Sequence, residues 1–238
     1  MFGHLLLLRK FNFIFLNNYF ESSVENWKSL WNNPYQKQRF IVGTLLWLIV
    51  IFLLPYFFNY IEKRKGTTLN DQLLALIPAY NVSVYIFSII WGTILLIVIR
   101  AINNPSIYIT YCWTFIFICI ARVITIGLIP LNPPIGYIPL ADPLTGVFYG
   151  NHVISKDLFF SGHVSTILLI FLCLKKVSDK VIALIATLCV GGLLLVQHVH
   201  YTIDVVAAPF FVCALYWITR RFVYRRAVRK KRRRPIAR

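Results

Sequence analysis

His200 and Asp204 stand four residues apart in Val199-His200-Tyr201-Thr202-Ile203-Asp204-Val205, at the mouth of an apolar segment. On a helix this spacing puts both side chains on one face, close enough for the carboxylate to hold one imidazole nitrogen. A nucleophile or base fixed by a third group is the usual basis of covalent and acid–base catalysis. A second histidine lies in Ser161-Gly162-His163. Two histidines without a metal-ligand cluster suit phosphoryl transfer through a phosphohistidine. His200, oriented by Asp204, would attack phosphorus, while His163 would protonate the leaving alcohol and then deprotonate the acceptor. The acidic pairs that hold magnesium in kinase-type or polymerase-type sites are absent, so neither a metal nor a cofactor is expected.

Arg122 lies inside an apolar run, where an ionisable residue is costly and marks a site. Its guanidinium could bind phosphate through two parallel hydrogen bonds, or pair with Asp157 or a backbone carbonyl as a packing device. Ser161 and Gly162 open a helix whose first amides favour an anion, although Ser161 and Asp157 are also good N-caps. Tyr201 suits an aromatic belt at the membrane boundary, with its phenol in reach of a headgroup. His4, His152 and His198 are expected to be interfacial residues, with His198 pointing away from His200.

These groups need apolar elements to carry them, and the composition supplies them. The chain has 238 residues, is 58% hydrophobic and has a mean hydropathy of +0.69, more than a soluble core of that size requires. Six spans are expected, near residues 40–60, 82–102, 107–131, 157–174, 181–196 and 203–222. The fold class is therefore all-α, a polytopic six-helix bundle. Residues 1–39 form an N-terminal interfacial segment, 40–222 the catalytic membrane domain and 223–238 a basic tail. A connection rich in turn residues, 132–156, joins the third and fourth spans and suggests a functional surface or lid. Cys112, Cys119, Cys173, Cys189 and Cys213 all lie in apolar runs without disulfide or zinc spacing, as helix-packing residues would.

Net charge is +17, yet 11 of the 25 Lys and Arg fall between Arg220 and Arg238. Beside an apolar span, such a tail marks the cytoplasmic end and anionic lipid headgroups rather than a nucleic-acid partner. Six spans place both termini in the cytoplasm with Arg100 and the Lys175-Lys176-Lys180 loop. His163 and His200 then sit at the non-cytoplasmic face. Lys63-Arg64-Lys65 falls on that same face, against the positive-inside rule.

Asp157-Leu158-Phe159-Phe160-Ser161-Gly162-His163 and His200-Tyr201-Thr202-Ile203-Asp204-Val205 resemble the paired signatures of sphingomyelin synthases and their relatives, a branch of the type 2 phosphatidic acid phosphatase (PAP2) superfamily. Arg122-Val123-Ile124-Thr125, running on to Pro130, resembles that branch's second motif. Leu69-Asn70-Asp71 is a weak echo of its first. No paired arginines precede Arg122, and Leu69-Asn70 replaces a Pro-containing sequence. The resemblance implies a six-helix membrane enzyme with a His163, His200 and Asp204 triad. It also implies transfer of a phosphorylated headgroup from a phospholipid donor to a lipid-alcohol acceptor such as ceramide or diacylglycerol. A lipid phosphate phosphatase, with water as acceptor, is the alternative enzyme, and a lipid-binding membrane protein without catalysis is a further one. The short basic tail and compact loops resemble a bacterial inner-membrane member more than a Golgi or plasma-membrane one.

Overall fold

The computed structural model describes residues 26–140 and 154–232, with side chains described as far as Val223. Residues 1–25 of the expected interfacial segment, His4, His152 and residues 141–153 of the expected lid connection lie outside the described residues. Most of the described residues are helical: α1 (Trp27–Trp31), α2 (Pro34–Glu62), α3 (Ser83–Asn103), α4 (Pro105–Leu128), α5 (Gly162–Cys173), α6 (Val177–Val196) and α7 (Thr202–Arg232). The start signals are local. Asn33-Pro34 and Asn104-Pro105 each put a capping asparagine before a proline at the first helical position, where its missing N–H costs nothing. Both helices begin ahead of the hydropathic runs that announce them, at Pro34 rather than Phe40 and at Pro105 rather than Ile107.

Five helices, α2, α3, α4, α6 and α7, are long and apolar enough to cross a membrane. The sixth, α5, has 12 residues, about 18 Å, which is short of a hydrocarbon core of about 30 Å. It succeeds because it lies inside the bundle rather than against lipid. Nine of its residues, Val164, Ser165 and Ile167 through Cys173, are buried among α3, α4, α6 and α7. Irregular backbone at membrane depth is tolerated when protein surrounds it, and residues 157–161 lead into α5 in that way. The fourth span therefore starts at Gly162, where Ser161 caps it, and not at Asp157 or Leu158.

The core runs along α5, with Ile167, Leu169, Ile170, Ala183, Val190, Leu194, Ala208 and Val212 all fully buried or nearly so. α2 stands outside this core. It packs on α4 and α1 alone among the larger helix contacts, and leaves Leu45, Phe52 and Tyr56 exposed. At the end of the bundle away from the histidines, Arg100 closes α3 against Asp179 in the first turn of α6, in a two-bond pair of 2.7 and 3.0 Å.

Candidate active site

The turn between α6 and α7 organises the site end. Gln197, His198, Val199, His200 and Tyr201 are all buried, and four of the five side chains reach different partners. Gln197 donates to the Ser83 hydroxyl and the Pro139 carbonyl, and accepts from the Val82 amide. His198 lies 2.8 Å from each of the Ile135 and Ile77 carbonyl oxygens, through its two ring nitrogens. It points away from His200, as expected, but it is a buried tie between two loops rather than an interfacial residue. Its backbone takes a positive φ of 55°, which an alternating turn needs and a helix would forbid.

Tyr201 corrects an expectation. It is 1% exposed, and its phenol donates to the Asn132 carbonyl at 2.9 Å and accepts from the Leu69 amide at 3.1 Å. Both positions of the hydroxyl are occupied by loop backbone, so it is neither a belt residue nor a phosphate ligand. The same loops are joined by a parallel bridge between Thr67 and Leu131 and by Asn132 donating to the Gly66 carbonyl. Gly66 is required there, because a Cβ would come within 2.6 Å of the Leu131 carbonyl carbon.

His200 and Asp204 meet as expected, although His200 stands in the turn before α7 and not on the helix itself. His200 Nδ1 is 3.3 Å from Asp204 Oδ2, and the two residues are 2% and 0% exposed. Asp204 also accepts from the Tyr201 amide at 3.2 Å and the Phe159 amide at 3.3 Å, and its carbonyl accepts from the Ser161 amide. One aspartate thus ties α7 to the segment that delivers His163. Phe159 takes φ 112° to make its bond, a conformation that costs a non-glycine residue on the order of 1–3 kcal/mol and persists where surroundings enforce it. The His163 and His200 rings stand 6.3 Å apart between centroids, inclined at 65°. Phe87 closes the far side of His163 at 6.2 Å.

Arg122 reaches this corner from α4. One terminal nitrogen donates to the Asp157 carboxylate and the other to the Phe160 carbonyl, with the side chain buried. Of the two roles open in the sequence, the structure shows the packing one. The nitrogens of the expected phosphate fork already hold protein oxygens, and any phosphate contact would use their second hydrogens. The guanidinium lies against Gly162, where an added Cβ would stand 3.0 Å from its central carbon, so the glycine admits the arginine to the start of α5. Ser161 likewise serves as a cap: it is fully buried, and its hydroxyl accepts from the Val164 amide.

Two further acidic residues position these elements. Asp71 accepts from the Thr202 amide at 2.6 Å and hydroxyl at 3.1 Å, capping α7 from another loop. Glu62 accepts from the Ser155 and Lys156 amides at 2.6 and 2.7 Å, fixing the strand of chain that leads to Asp157. Nothing local in the sequence announces either role, though Asp71 sits in the weak first motif.

The membrane-length apolar helices point to an integral membrane protein, and at one end they bring a buried His–Asp pair beside a second histidine, an arrangement that could supply a nucleophile or an acid–base pair. Residues 156–221 match the family described as PAP2 superfamily C-terminal, a span holding His163, His200 and Asp204. The match supports the PAP2 superfamily, whose members are typically lipid phosphatases and phosphotransferases. No curated protein matches the chain.

Proposed function

We propose that the protein is a lipid phosphotransferase that moves a phosphorylated headgroup from a phospholipid to a ceramide-type or diacylglycerol-type alcohol. The observation that carries the reading is the 6.3 Å separation of the His163 and His200 rings, with Asp204 behind His200. Ring centroids this close bring both imidazoles within reach of one small group, which one histidine could attack while the other hydrogen-bonds its oxygen at about 3 Å.

With Nδ1–H held by Asp204, His200 presents the lone pair of Nε2 to phosphorus. The N–P bond forms as the bond from phosphorus to the donor's alcohol oxygen breaks, and His163 gives that oxygen its proton. The acceptor hydroxyl then loses a proton to His163 and attacks phosphorus, and the N–P bond breaks. The opening amides of α5 and the second hydrogens of Arg122 supply the positive side of the anion's surroundings. The resemblance to sphingomyelin synthases favours a lipid over water as acceptor. Both termini are cytoplasmic in this reading, with the histidines on the other leaflet.

Purified protein incubated with labelled phosphatidylethanolamine or phosphatidylcholine plus ceramide is expected to yield a labelled phospho-lipid. Its absence overturns the transferase, and free phosphate from phosphatidic acid without a lipid product selects the phosphatase. His200→Ala abolishes turnover under either enzyme. Unchanged biological activity in that variant would instead identify a binding protein.

A further inference from the structure

Two loops at the histidine end, residues 66–82 and 131–140, carry apolar side chains outward. They lie side by side: the His198 ring stands 2.8 Å from the Ile77 carbonyl of one and 2.8 Å from the Ile135 carbonyl of the other. Leu73, Leu76 and Tyr80 on the first loop and Ile135 on the second are exposed, Leu76 at 80% and Ile135 at 82%. Asp71 is the sole charged residue of the two stretches, and its carboxylate is taken up by Thr202 and the Leu74 amide. Loops made for water present polar groups, whereas an exposed apolar patch marks a partner or a membrane.

The backbone of the loops suits a dry setting as well. The Leu74 amide donates to the Asp71 side chain, those of Ala75, Leu76 and Ile77 to the Asp71, Leu73 and Leu74 carbonyls, and that of Tyr80 to the Val196 carbonyl. On the second loop, Tyr137 and Ile138 donate to the Pro134 and Gln197 carbonyls. Pro78, Pro133, Pro134 and Pro139 have no N–H to satisfy. A backbone donor without a partner is costly at a bilayer, and these donors have partners within the protein.

Helix lengths give the level of the loops. The 21 residues of α3 span about 31 Å, close to a hydrocarbon core of about 30 Å, so residues 73–80 come just outside that core, ahead of Ser83. Val84 and Tyr85, exposed in the first turn of α3, carry the apolar exposure on from the loop to the helix wall. The histidines lie deeper. A Cβ on Gly191 of α6 would stand 3.2 Å from Val205 and 3.9 Å from Val164, so the starts of α5 and α7 meet α6 there, and α6 continues about 7.5 Å to Val196 and the loops. We propose that the two loops are embedded in the leaflet at the histidine end, at the boundary of headgroups and acyl chains, with Leu76 and Ile135 among the lipids. Lipid is the occupant because the patch continues a wall of membrane-length helix and offers no outward charge for a protein partner to pair. The inference concerns the membrane face and holds for a transferase and a phosphatase alike.

Spin labels on single cysteines test this in the full chain, freed of its native cysteines and reconstituted into vesicles of phosphatidylglycerol and phosphatidylcholine. Leu76→Cys and Ile135→Cys replace exposed side chains, so a label there disturbs little packing. Leu95→Cys, exposed midway along α3, is the acyl-chain reference, and Ser178→Cys, exposed at the start of α6, is the aqueous one. Power saturation reads the collision of each label with oxygen against that with a water-soluble nickel chelate. Both loop labels are expected to shift the oxygen-to-nickel ratio from that of Ser178→Cys toward that of Leu95→Cys. A ratio equal to that of Ser178→Cys at either loop position puts the loops in water and overturns the proposal. Weak collision with both reagents would mean that protein covers the patch, from this chain or a second copy, and would overturn it as well.

Discussion

Asp204 holds three groups at once: the His200 imidazole, the Tyr201 amide and the Phe159 amide. An amide in its place has one acceptor oxygen, so it could keep the Phe159 or the Tyr201 N–H but not both, and it would no longer fix the His200 tautomer as a carboxylate does. Asp204→Asn is therefore expected to lower kcat by about 10³–10⁴-fold with a much smaller loss of stability. Turnover measured beside thermal unfolding in detergent checks the split, and an equal loss of both would make Asp204 purely structural. Tyr201 predicts the opposite pattern. Tyr201→Phe leaves the Asn132 carbonyl and the Leu69 amide without the phenol, at about 1–3 kcal/mol. It is expected to lower the unfolding temperature while the folded fraction keeps nearly normal kcat, whereas a phosphate ligand would lose kcat first. The pairing of His200 with Asp204 was legible because four residues separate them at one helix start, and His163 because Ser161-Gly162 before it opens another helix. Arg122 offered both a phosphate fork and a pairing with Asp157, and only the fold chose the second; Tyr201 was not legible, because its partner Asn132 lies 69 residues away.

Elements show the same divide between local and distant causes. The Asn-Pro starts of α2 and α4 are written in adjacent residues, and Arg100 marks the end of α3 where a cation favours the helix dipole. The start of α5 was harder, because Leu158-Phe159-Phe160 continues an apolar run and hydropathy cannot distinguish buried extended chain from buried helix. Hydrogen bonds from Phe159 and Ser161 to Asp204 decide it for the extended form. The start of α7 is fixed by Asp71, from a loop over 130 residues earlier in the chain. Burial raises the Asp71 pKa, but hydrogen bonds from Thr202, Leu74 and Leu73 outweigh it and leave the carboxyl below its ordinary value. A carboxylate with a depressed folded pKa adds stability that is present above its unfolded pKa and is lost as pH falls through the folded one. Wild type is therefore expected to lose stability relative to Asp71→Asn as pH falls below the ordinary carboxylate value of 3.8. The two should differ by a constant amount at neutral pH. Unfolding curves across that range test this, and parallel curves at every pH would remove Asp71 as a charged cap.

At the scale of the molecule, the six-helix bundle was legible because hydropathy alone separates the helices, while the one departure from the charge rule was not explained by sequence. Lys63-Arg64-Lys65 lies at the histidine end, where the positive-inside rule disfavours a cluster if that end faces away from the cytoplasm. The structure accounts for the middle residue of the three, while Lys63 and Lys65 are exposed. Arg64 donates to the Gly127 and Ile126 carbonyls at 2.9 and 2.8 Å, satisfying the C-terminal end of α4, and Lys156 donates to the Glu62 and Arg64 carbonyls. Cations bound to helix ends in this way serve the fold instead of the lipid surface. Arg100, Lys175, Lys176, Lys180, Arg220 and Arg221 belong to the opposite end, where α3 and α5 finish, α6 begins and α7 leaves the bundle. Charge thus favours that end as cytoplasmic once the helix-bound cations are discounted. Single cysteines placed in a background without the five native ones test the orientation in intact cells. Asn70→Cys, exposed in the loop at the histidine end, is expected to react with a membrane-impermeant maleimide. Ser178→Cys, exposed at the start of α6, is expected to react only after the membrane is opened. The reverse pattern would put the histidines in the cytoplasm, and a lipid donor would then have to come from the inner leaflet.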